Sequence, residues 1–91
     1  FSFSDLAANI VGVQIASYAT RDEATALIMQ ERLATVRDES DYMPEMGSNQ
    51  DGLSESDFNA QYENRNSPEY RARLAEIQQL INARPLFQNL P

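Results

Sequence analysis

Apolar residues recur at helical spacing in several stretches of this 91-residue chain. The first runs through Phe3, Leu6, Ile10, Val13 and Gln14 and is widened by Ala7, Val11 and Ile15. Such a stripe predicts a helix over about 3–19 that buries one face. Ser2 stands where an N-cap belongs, with Asp5 three residues on to return a hydrogen bond and Phe1 placed to meet Leu6 as a staple. Ser4 is the alternative cap. Val11, Val13 and Ile15 also alternate like a strand, but the alanines and the cap favour helix.

Thr20 and Glu23 repeat the cap chemistry and predict a second helix over about 21–37. Ala24, Leu27, Ile28, Glu31 and Ala34 make one of its faces, and Met29, Leu33 and Val36 a second. A third start is Ser54 with Asp57, where Leu53 and Phe58 form the staple of a short helix over about 54–64. The fourth has Ser67 as N-cap and Pro68 at the first helical position, where a missing N–H costs nothing. From there Tyr70, Leu74, Ile77 and Ile81 repeat at intervals of four, three and four, with Leu80 widening the stripe. Arg84 stands at the negative end of that helix, predicted over about 68–83, and Pro85 stops it. The tail 85–91 is apolar and patternless, so it needs something to dock on.

Residues 38–53 change character, with Pro44, Gly47 and Gly52 among acids and amides. Fixing one residue's backbone costs about 1–2 kcal/mol. Burying Tyr42, Met43 and Met46 returns roughly 1.5–3 kcal/mol each. The deficit predicts a mobile acidic connection unless other contacts hold it. The fold expected is therefore all-α: one domain built as a small irregular bundle of three to four helices.

Charge sharpens this picture. The net charge is −7, yet residues 38–64 hold eight carboxylates and no arginine, while the remainder holds six against seven. A broad nucleic-acid contact needs clustered positive charge, and none is present. The longest nearly uncharged stretch, Leu6 to Thr20, is too short and too polar to read as a membrane span. The chain has no histidine, cysteine or lysine. It thus lacks the usual general base, thiolate ligands and any Schiff-base amine, and no catalytic residue, cofactor or small-molecule site can be picked out. The composition assigns no compartment.

Asp5 and Asn9, one helical turn apart, are the candidate polar site, with Gln14 further along and Gly12 open to a close approach. Residues 47–58 faintly resemble a calcium loop, but Gly47 and Phe58 fall where ligands are needed, so no metal site is assigned. Arg65, Arg71, Arg73 and Arg84 could hold the chain's own acidic segment. Leu80, Leu86, Phe87 and Leu90 form the candidate partner-binding surface, for another protein or for self-association. The leading expectation is a non-catalytic binding or assembly module. Its alternatives are a fragment or subunit lending Asp5 and Asn9 to a larger enzyme, and an acidic inhibitor or mimic that binds a basic surface.

Overall fold

The computed structural model describes residues 2–46 and 67–90. Among them are three α-helices, α1 (Phe3–Arg21), α2 (Glu23–Ala34) and α3 (Pro68–Asn82). Two 3-10 turns follow α2 and α3, at Glu39–Asp41 and Pro85–Phe87, and no strand occurs among the described residues. The helix expected over 54–64, with its cap and staple, lies outside the described residues, as do Phe1 and the calcium-like loop.

Local chemistry sets each helix start. Ser2 Oγ accepts from the Asp5 N–H at 3.2 Å, as the N-cap of α1. Ser67 Oγ accepts from the Tyr70 N–H at 3.2 Å, with Pro68 opening α3. The second start differs from expectation. Thr20 stays inside α1 and donates its hydroxyl to the Ala16 carbonyl at 2.8 Å, so it cannot cap the next helix. Asp22 is the cap: its backbone is extended and its carboxylate accepts from the Thr25 N–H at 2.7 Å. Aspartate is the better N-cap of the two. A single residue therefore breaks α1 from α2.

The end of α2 also moves, from the expected Arg37 to Ala34. Thr35 and Val36 are β-branched and poor at extending a helix. Beyond them the Asp41 carboxylate accepts from the Arg37 N–H at 2.9 Å and the Asp38 N–H at 3.4 Å, drawing both off the helical path. Residues 38–46 are thus tied down at their start by the Asp38–Asp41 capping box. Their other anchors are buried Pro44 and Met46, the latter 8 % exposed, with Tyr42 and Met43 packed against the core. The expected looseness of the acidic connection does not describe this half. The Asp38 and Asp41 carboxylates' bonds to backbone N–H groups offset part of the ordering cost.

α1 is the shared partner of the bundle. α2 packs along one flank and α3 along the other. Phe3 lies by Tyr70, with ring centroids 6.2 Å apart, and Gln14 reaches Asn82, so α1 and α3 run in the same direction. The stripe α1 buries is Phe3, Ala7 and Val11, continued by half-buried Gln14 and Tyr18. Val13, expected inside, points to solvent at 69 % exposure. On α2 the inward line is Thr25 and Met29, continued by half-buried Arg32 and Val36, and Leu27 and Leu33 are exposed. Both helices carry apolar residues all round, so periodicity alone underdetermines which stripe is buried. On α3 the expected stripe is the inward one: Tyr70, Ile77 and Ile81 are buried and Leu74 packs against them.

The tail closes the core. Leu86 and Phe87 are 3 % and 6 % exposed, and Phe87 stacks on Tyr18 with centroids 6.4 Å apart. The Arg32 guanidinium donates to the carbonyls of Pro85, Leu86 and Gln88. The apolar tail thus docks on its own chain.

Candidate functional site

Between α1 and α3 lies an open groove of about 620 Å³, to which α2 contributes no lining residue. α1 supplies Asn9, Ile10, Val13, Gln14, Ser17 and Tyr18, and α3 supplies Gln78 and Asn82. No lining residue is an acid or an arginine. Three amides cross the groove. Gln78 Nε2 donates to Gln14 Oε1 at 2.7 Å and to Asn82 Oδ1 at 2.9 Å. Gln14 Nε2 donates to the same Asn82 oxygen at 3.0 Å. These bonds satisfy the half-buried amides of Gln14 and Gln78 in place of water. Gln14 occupies the buried stripe of α1 because those partners receive it.

A second groove of about 430 Å³ runs between α1 and α2. Val11, Ile15, Leu33, Val36 and Tyr42 make its apolar lining, and Ala8 and Gly12 its edge. A Cβ on Gly12 would meet no atom within 4 Å. Among the described residues no backbone approaches Gly12 closely.

The candidate polar pair separates. Asn9 lines the α1–α3 groove, whereas Asp5 is exposed outside it and its N–H serves the Ser2 cap. Of the candidate partner-binding residues, Leu86 and Phe87 are core and Leu90 packs against it. Leu80 is the exposed one, at 39 %, on α3. The tail finds its docking surface on its own chain, so Leu86 and Phe87 are not free for a partner. The stop turns the chain back onto Tyr18. Gln78 and Asn82 went unnoticed in the sequence, where their signal is an amide pair one turn apart beside Ile77 and Ile81.

Charge lies elsewhere. Arg73 pairs with Glu76 at 2.9 Å and stands over the Phe3 ring, 5.6 Å from its centroid. Arg84 Nη1 donates to the Ser40 carbonyl at 3.3 Å, joining the end of α3 to the acidic segment through its backbone. The Asp22 carboxyl is held below the usual carboxylate range by the Thr25 N–H and hydroxyl, and Asp38 likewise by Ser40. Both are caps, remote from the groove. Among the described residues no cluster of three or more potential metal ligands occurs, and no helix is long and apolar enough to cross a membrane.

The groove can therefore offer hydrogen bonds and apolar contact without charge. Comparison with protein-family models, with curated proteins and with solved structures finds no match to this chain.

Proposed function

We propose that this chain is a non-catalytic binding module that assembles with a protein through the groove between α1 and α3. The observation that carries the reading is an uncharged groove, with Val13 exposed in its lining, on a chain of net charge −7. Contact faces between proteins lose charge at their centre, because burying an unpaired charge costs more than the contact returns. The groove has that composition: an apolar part at Ile10 and Val13, and amides and hydroxyls around it. Leu86 and Phe87 contribute from beneath. Phe87 stacks on Tyr18, one of the lining residues.

A photo-crosslinking amino acid placed at Val13, in the chain expressed in its source, tests this reading. The same group at Glu31, exposed on α2 outside the groove, is the control. Position 13 should yield discrete protein adducts and position 31 none. Absence of adducts from position 13, or equal yields from both, would overturn the proposal.

A further inference from the structure

We propose that a pocket between the end of α2 and the docked tail binds a carboxylate carrying a short hydrocarbon body. Two arginines, Arg32 and Arg37, line this pocket, whose volume is about 360 Å³. It shares no lining residue with the α1–α3 groove, so the proposal stands apart from the function assigned there.

The chain has fourteen acids against seven arginines, so partners for its guanidiniums are plentiful. Arg21 and Arg73 each lie within ion-pair distance of a neighbouring carboxylate. Arg32 and Arg37 have no carboxylate partner among the described residues. Two guanidiniums in one pocket without a counter-ion favour an anion from outside.

The fork that would receive it is open. A guanidinium carries five N–H donors. Arg32 Nη1 serves the carbonyls of Pro85, Leu86 and Gln88, which leaves Nε and Nη2 with no bond among the described residues. Neither is sealed from solvent, unlike the Nε atoms of Arg73 and Arg84. A carboxylate fits the Nε–Nη2 edge with two parallel bonds. The three carbonyls already hold Arg32 in place, so binding costs it little further rotamer freedom. Arg37, exposed and with no side-chain bond among the described residues, supplies the second charge.

Charge and walls narrow the ligand further. Asp41 also lines the pocket and brings its formal charge to +1. The Asp41 Oδ2 accepts from the Arg37 and Asp38 backbone N–H groups, so its lone pairs are engaged away from the guanidiniums. A monoanion matches that charge, and a phosphate dianion exceeds it. The rest of the wall is apolar, from Val36, Pro85 and Leu86. Hydrocarbon attached to the carboxylate is stabilised by covering that wall. The volume lies near the low end of the ~300–1,000 Å³ of small-ligand sites, so the body is short.

Titration of the isotope-labelled full chain with sodium hexanoate, followed by NMR, tests the proposal. The Arg32 Nε–H and the Val36 and Leu86 amides should shift and saturate. Hexanamide, the uncharged counterpart, should bind about tenfold more weakly or worse, and inorganic phosphate should also bind less well than hexanoate. Arg37→Gln should weaken hexanoate binding about tenfold, the loss of one charge-assisted hydrogen bond. Its thermal unfolding should match the parent's, because the Arg37 side chain holds nothing in the fold. Val13→Asp, in the other groove, should bind hexanoate as the parent does. A short peptide ending in leucine, with its terminus free or amidated, separates two sources of the carboxylate. Tighter binding of the free-terminus peptide than of hexanoate assigns the site to protein termini, and the reverse assigns it to small acids. Absence of a saturable shift with both carboxylates would overturn the proposal, as would equal affinity for hexanamide or indifference to Arg37→Gln.

Discussion

Arg32 Nη1 donates to the Leu86 carbonyl at 3.3 Å, fastening the last turn of α2 to the chain beyond α3. The same nitrogen serves the carbonyls of Pro85 and Gln88, so one half-buried guanidinium holds a whole turn of backbone. Hydrogen bonds made by a charged donor contribute about 1.5–3 kcal/mol, with partial exposure favouring the low end. Arg32→Met keeps most of the stem and removes the donors. It should lower stability by about 1–2 kcal/mol in urea unfolding. Amide exchange should accelerate from Phe87 to Leu90 ahead of the rest. An unchanged midpoint would show that the tail is held by its apolar contacts alone.

Those apolar contacts give a larger effect. Truncating a buried phenylalanine costs about 3–5 kcal/mol, against roughly 5–14 kcal/mol for the whole stability of a domain this size. Phe87→Ala should thus remove a large share of stability, and deletion of 86–91 should abolish the cooperative thermal transition. Leu80→Ala, at an exposed site, should shift stability by less than about 1 kcal/mol. If deletion of the tail leaves the melting curve intact, the docked position described above is wrong.

The contrast between α3 and α1 shows where the sequence is informative. α3 alternates a single apolar stripe with charged residues, and its start, stop and buried face all follow from pattern and caps. α1 has apolar or small residues on every side, so Val13 and Val11 look equivalent until neighbours choose between them. The break at Asp22 was legible as cap chemistry but misplaced by two residues, because the Thr20 hydroxyl has a carbonyl to bond within its own helix. The groove lay further from view. It depends on residues 64 and 68 positions apart meeting through their amides, a pairing that no local period encodes.

Gly12 supplies an independent check on α1. It lies mid-helix, exposed, and a Cβ there meets nothing within 4 Å. Glycine in a helix interior costs about 0.5–1 kcal/mol relative to alanine, through the freedom it loses on folding. Gly12→Ala should therefore stabilise the fold by about that amount, read by thermal unfolding. A loss of stability would mean that position 12 is packed against something.

Acid should act on the helix starts before it acts on the core. The Asp22 and Asp38 carboxyls are both lowered, chiefly by backbone N–H groups donating to the charged form. A group whose folded value lies below its unfolded one stabilises the fold fully above the unfolded value. That contribution fades as pH falls through the folded value. Stability should accordingly be level from neutrality down to about pH 5 and then decline, since the unfolded aspartate titrates near 4. Asp22→Asn keeps a side-chain oxygen for the Thr25 N–H but has no proton to gain. This variant should flatten the acid limb of a plot of urea midpoint against pH. Arg21, whose Nε lies 4.0 Å from Asp22 across exposed surface, adds a weaker attraction that salt should screen. An acid limb in the variant as steep as in the parent would place the responsible carboxylate elsewhere, with Asp38→Asn the next substitution to measure.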